Sequence, residues 1–200
     1  MPFIDLPPQL QERVICSIAA AVKYEVPANI MLAVQEIENG KPGQWVKNRN
    51  GTHDVGPMQF NTAYLADLAR YKITARDVAQ AGCYSFDLAA WRIHNHLRHD
   101  RGDLWTRAAN YHSRTPQFNL VYRVKLVQKA AKWANWLEAR FVTYDMMTSG
   151  AASLRPAAAA ATTKATAAAV QVTASPMPWR PSVTWNTAGY VPRKLLINGQ

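Results

Sequence analysis

Residues 31–61, MLAVQEIENGKPGQWVKNRNGTHDVGPMQFN, change character twice. The stretch opens apolar. Ile30, Val34 and Ile37 stand four and three residues apart, a spacing that puts them on one buried helical face. Asn39, Gly40 and Pro42 then stop the helix. Glu38 is one step round from Ile37, at the edge of the apolar stripe and at the start of a polar loop. A carboxyl in that setting loses water, and loss of water raises its pKa. A carboxyl still protonated near neutral pH can act as a general acid. Glu36, two residues back, lies about 200° round the helix. It is therefore expected to point to solvent.

Residues 39–57 form a loop of about 19 residues. Loops of that length in a compact helical domain are more often functional than accidental. NRNG and GTHD within it are turn chemistry, because Asn and Gly tolerate positive φ and Asp and Thr bond nearby backbone. PMQFNTAYLADLARY then reads as a helix from Pro57, with Met58, Ala63, Leu65 and Leu68 inward.

Before this stretch, residues 8–24 read as a helix opened by Pro7 and Pro8. Val14, Ile15, Ile18, Ala19 and Val22 form its apolar face. Asn29 is the expected cap of the next helix, residues 28–38. Further on, Thr74 and Asp77 form a capping box for a short helix to Gln80. Ser85 is expected to cap a helix over 86–99, with Leu88, Trp91, Ile93 and Leu97 in the core. Asp103 caps 104–112. Pro116 stands at a helix start, and residues 118–141 read as the longest helix. Its broad apolar face comprises Val121, Val124, Leu126, Val127, Ala130, Ala131, Ala134 and Leu137, edged by Trp133 and Trp136. No β pattern of length appears before Gly150. The expectation is an all-α domain of about seven helices over residues 1–149 and an Ala/Thr/Pro-rich tail over 150–200.

The chain is 200 residues long, 48% hydrophobic and 18% charged, enough for one domain with a core plus a tail. Its net charge is +10, of which the acid-free tail contributes +5 through Arg155, Lys164, Arg180, Arg193 and Lys194. A basic surface suits nucleic acid, anionic lipid or an acidic cell wall, and charge alone does not choose among them. The tail is too poor in large apolar residues to bury a core and reads as flexible. Its aromatic end, with Trp179, Trp185 and Tyr190, is either a docking peptide or an unstructured end. No signal peptide is visible: residues 1–13 lack a positive n-region, and the apolar run 14–22 is too short to span a bilayer.

AVQEIENGKPG (33–43), NRNGTHDVGPMQFN (48–61) and AANYHSRTPQFNLVYRVKLV (108–127) occur in that order. Together they resemble the SLT-type lytic transglycosylases of the lysozyme-like superfamily. The nearest branch is the small peptidoglycanases of conjugation, type IV and type III secretion systems and some phage virions. The resemblance covers about residues 8–141. It implies a helical domain with a deep cleft, and a single Glu that first protonates the glycosidic oxygen. That Glu then takes the proton of the muramic-acid 6-hydroxyl, which closes a 1,6-anhydro ring without water. It implies no cofactor, peptidoglycan glycan strands as substrate, and a monomer in the periplasm, cell envelope or virion. Secretion, conjugation or virion components would be partners through the tail.

The resemblance assigns the catalytic role to Glu38. Asn39 stands where the family has Ser or Gly, and GPMQFN stands where it has G-L-M-Q-I/V-N, with Pro57 replacing Leu. Met58, Gln59 and Asn61 are thereby substrate-binding candidates, Gln59 having both donors and an acceptor for sugar groups. Tyr111 takes the place of the family Tyr that reaches the Glu or the sugar, and Tyr122 that of a downstream Tyr lining the cleft. Asp54 is the second carboxylate that a water-dependent muramidase would use. Cys16 and Cys83 read from composition as two buried thiols, whereas the resemblance favours a disulfide between them. His94, His96 and His99 show no metal-ligand spacing, so no metal site is expected. The competing readings are a nucleic-acid-binding helical protein, which leaves Glu38, Gln59 and Tyr111 unexplained, and a catalytically idle wall-binding or scaffold subunit.

Overall fold

The computed structural model describes residues 5–145 and 193–195. The chain is mostly helical. Helices α1 (Pro8–Lys23) and α2 (Ala28–Glu38) come first, then a small sheet of β1 (Trp45–Lys47), β2 (His53–Val55) and β3 (Phe60–Asn61). After it come α3 (Thr62–Leu68), α4 (Ala75–Ala79), α5 (Tyr84–His99), α6 (Leu104–Ala109) and α7 (Pro116–Glu138). Strands β4 (Thr143–Asp145) and β5 (Arg193–Leu195) pair antiparallel, Thr143 opposite Leu195.

Helix α2 is the centre of the molecule. Every residue from Ala28 to Gln35 is buried, and α2 packs against both α1 and α7. A helix apolar on all sides belongs inside. That burial overrides two expectations. Asn29 does not cap: Pro27 holds the N-cap position, and the buried Asn29 amide donates to the Ala130 carbonyl of α7 at 3.3 Å. Glu36 does not face solvent but lies against α7, accepting from Lys129 Nζ at 2.6 Å and Trp133 Nε1 at 2.7 Å. At the other end Asn39 adopts the left-handed conformation (φ 42°, ψ 28°) that terminates α2. Arg13 of α1 donates to the carbonyls of Gly40 and Gln35 at the end of α2, at 2.9 and 3.2 Å.

The long loop is not structureless. Its strands form an antiparallel sheet in the order β1-β2-β3, with Val46 opposite Asp54 and Asp54 opposite Asn61. Strands of two or three residues are too short to display alternation in sequence. Helix α3 starts at Thr62 rather than Pro57. Gln59 has φ 49°, which no helix accommodates, and Asn61 Oδ1 accepts from Ala63 N–H as the N-cap. Thr74 and Asp77 form the expected capping box of α4, and Asp103 caps α6 by accepting from Thr106 N–H. Ser85 is buried inside α5 and does not cap it.

Two apolar faces are narrower than expected. Ile15, Ala19 and Val22 of α1 and Val121 and Val124 of α7 are exposed, while Val14, Ile18, Leu126, Ala130, Ala134 and Leu137 are in the core. Trp133 is buried too, not at an edge. The tail returns to the body at β5, which runs beside α2. Trp179, Trp185 and Tyr190 lie outside the described residues. Among the described residues no helix is long and apolar enough to cross a membrane.

Candidate active site

Glu38 ends α2 at the junction of α2, α7 and the strands. The Tyr122 hydroxyl, from the inner face of α7, donates to Glu38 Oε1 at 2.6 Å. Burial pushes the Glu38 carboxyl up to about 7. The Tyr122 bond and the nearby Arg92 charge pull it down less strongly, and the Asp54 charge adds to the rise. Burial also pushes the Tyr122 hydroxyl well above its ordinary value, so it stays protonated and donates. His112 stacks face to face on the Tyr122 ring, centroids 4.8 Å apart and planes 3° from parallel. Burial lowers the His112 pKa, which favours the neutral ring.

The structure thus gives the direct contact with Glu38 to Tyr122, not Tyr111. Tyr111 is buried; its hydroxyl donates to the Met58 carbonyl at 2.8 Å and its ring meets Phe60 edge-on. It braces the segment that carries Gln59. The Met58 side chain is core, with no exposed surface. Asn61 is consumed by its neighbours: Oδ1 caps α3, and Nδ2 donates to Thr52 Oγ1 and Asp54 Oδ1, each at 2.9 Å. Neither Met58 nor Asn61 therefore offers a free group to a sugar. Gln59 is half-buried, its amide donating to the Gly56 carbonyl at 2.8 Å. Asn39 is exposed beside Glu38.

A close backbone approach sets this geometry. A Cβ on Gly40 would lie 2.1 Å from the Gly56 carbonyl oxygen and 2.4 Å from Gln59 Nε2. Only glycine lets the end of α2 meet the turn that presents Gln59. The turn bearing Tyr111 and His112 is pinned from α5. Asp100 accepts from Asn110 Nδ2 at 2.8 Å, from Arg114 and from His96 Nδ1 at 2.7 Å. Burial alone would raise the Asp100 carboxyl, but these three bonds hold it at about 2. Burial pushes His96 down to about 4, so it is neutral near pH 7. His94 Nδ1 lies 2.6 Å from the Tyr24 carbonyl oxygen. Among the described residues no group of three or more His, Cys, Asp or Glu could hold a metal. Cys16 and Cys83 form a disulfide joining α1 to the start of α5.

No family model matches the chain. It is 25% identical over 122 residues to Invasion protein IagB of Salmonella typhimurium and of Salmonella typhi, spanning 60% of this chain and 74% of the relative. This is a distant link.

A separate hollow of about 470 Å³ lies where α2 meets α7 on the Glu36 side, lined by Leu10, Glu36, Lys129, Trp133 and Trp136. Glu38 does not line it. Burial would raise the Glu36 carboxyl, but bonds from Lys129 and Trp133 hold it below its ordinary value. Glu36 is thus ionised near neutral pH and is unsuited to proton donation. Two residues missed in the sequence belong to the Glu38 site. His112 stands beside Tyr111 in the third motif and stacks on Tyr122, and Arg92 stands in α5, where no motif marks it. Both act at the site only through tertiary packing.

Tyr122→Phe is expected to lower kcat about tenfold, the worth of one hydrogen bond to an ionising group. It removes a bond that lowers the Glu38 pKa, so the alkaline limb of the pH–rate profile should move upward. A drop in rate with an unshifted limb would mean that Tyr122 only packs.

Proposed function

We propose that this chain is a peptidoglycan lytic transglycosylase that cleaves the β-1,4 bond after N-acetylmuramic acid and leaves a 1,6-anhydro end. The observation that carries this reading is one buried carboxyl, Glu38, held near pKa 7 and touched by a neutral hydroxyl donor. Such a carboxyl can give a proton to the leaving oxygen and then, as carboxylate, accept one from the muramyl 6-hydroxyl. Tyr122 keeps the same oxygen oriented through both steps. Gln59 and Asn39 stand at the site edge as contacts for sugar and N-acetyl groups. The order of motifs and the distant likeness to an invasion protein support the same reading. Opening of the wall for an envelope-crossing apparatus or a phage, residence in the envelope, and use of the tail beyond residue 150 for partners are parts of this proposal.

The single-carboxyl form is favoured over the hydrolase form by the setting of Asp54. Its Oδ1 is engaged by Asn61 Nδ2 at 2.9 Å. Purified sacculi digested by the parent are expected to release muropeptides ending in 1,6-anhydro-muramic acid. Reducing ends, heavier by the mass of one water, about 18 Da, would instead establish hydrolysis. Asp54→Asn should keep the anhydro product and lose less than about tenfold in rate. Because the Asp54 charge helps raise Glu38, the alkaline limb of this variant should move to lower pH. Abolition of turnover by Asp54→Asn would return the hydrolase reading.

A further inference from the structure

Arg92, in the middle of α5, stands close enough to Glu38 to act on its charge, and among the described residues no acid is paired with it. Its guanidinium lies over the Tyr64 ring at 4.0 Å and over the Tyr111 ring at 4.8 Å. Among the described residues its Nε is buried with no hydrogen-bond partner, and no ion pair neutralises it. Three other arginines are matched by acids: Arg114 is bound to Asp100, Arg123 to Thr106 and Asp103, and Arg140 to Asp5. Stacking engages the faces of a guanidinium and leaves its in-plane N–H donors, whose fork geometry fits a carboxylate. Arg92 also acts electrostatically on Glu38, Tyr111, Tyr122 and His112, so its charge is felt throughout the site. A part-buried cation held in place by two aromatic rings and left unmatched is complementary to a charge that arrives with the ligand.

We propose that Arg92 is the anion-recognition residue of the Glu38 site and that it takes a carboxylate on the peptide substituent of the substrate. The proposal rests on the peptidoglycan reading above and deepens it: the preferred substrate is a glycan whose stem peptides carry free carboxylates. Occupation of Arg92 by that anion also offsets the charge that pulls the Glu38 pKa down, so the bound substrate helps Glu38 keep its proton.

The test compares sacculi with native carboxylates and the same sacculi after carbodiimide-driven conversion of those carboxylates to amides. Initial rates of muropeptide release are read for the parent, Arg92→Met, Arg92→Gln and Arg92→Lys. Arg76→Gln, on exposed α4, is the control for loss of one positive charge. The parent and Arg76→Gln are expected to cleave native sacculi about tenfold faster than amidated ones, the scale of a charge-assisted hydrogen bond. Arg92→Met and Arg92→Gln should cleave both at one slow rate, and Arg92→Lys should recover part of the preference. Two neutral variants of different shape keep a folding defect in one from deciding the result, with far-UV circular dichroism checking each. Equal parental rates on both substrates, or a preference that survives in the neutral variants, would overturn the proposal. No release by the parent from either substrate would overturn the peptidoglycan reading, and this proposal with it.

Discussion

Glu38→Gln is expected to lower muropeptide release by about a thousandfold or more, within the range that a positioned general acid contributes. An amide cannot supply the proton, yet its carbonyl can still accept from the Tyr122 hydroxyl, so the local geometry survives. The parental rate should fall on the alkaline side with an apparent pKa of about 7, because only the protonated carboxyl starts the reaction. The same shift makes a stability prediction. The folded-state pKa of Glu38 is raised above its ordinary value of 4.5, so its stabilising contribution is complete below about pH 4.5 and is lost as pH rises through about 7. Above pH 7 the folded parent carries a buried carboxylate at a cost on the order of 3 kcal/mol. Glu38→Gln removes that cost. Its Tm should match the parent near pH 4.5 and exceed it by roughly 8 °C at pH 8. Parent-like turnover in the variant would remove Glu38 from the chemistry, and an equal Tm at pH 8 would mean that the carboxyl is not desolvated.

The second large effect is on folding. Replacing Cys16 and Cys83 together by Ser is expected to destabilise the protein by about 4 kcal/mol, the chain-entropy value for a crosslink between residues 67 positions apart. Cys16 sits in the core face of α1, so the change opens a constraint inside the body rather than at its edge. Tm should fall by roughly 10 °C. A strong reductant should lower the parental Tm to the same value and leave the double variant unchanged. Neither cysteine is among the groups that bond to or act on Glu38, so kcat measured well below the transition should change by less than about threefold. A reductant-insensitive parent would show that the bond does not form in solution.

Much of the site could be read from the chain. The end of α2, the position of Glu38 at its last turn, the capping box of α4 and the Asp103 cap all follow from local chemistry, because each depends on residues within one helical turn. The small sheet and the true start of α3 did not. They depend on a positive φ at Gln59 and on strands too short to carry a period. Met58 and Asn61 drew attention as ligand contacts because they stand in a motif. In space the Met58 side chain serves the core and Asn61 the α3 cap, while Gln59 is half-buried and Asn39 exposed beside Glu38.

The sequence by itself determined that the body is helical and that one glutamate ends a helix with a buried apolar face. It also placed three polar motifs in an order that resembles glycan-cleaving enzymes. Those conclusions rest on periodicity and on neighbours in the chain. The tertiary structure alone decided what surrounds the glutamate. Tyr122 is 84 positions away and Arg92 stands on another helix, and both meet α2 only because α2 is packed on both sides. A pKa is set by burial and by charges within a few ångströms, whatever their distance in sequence. For that reason the proposed proton donor could be named from the chain, but its hydrogen-bond partner, its raised pKa and the unmatched cation beside it could not.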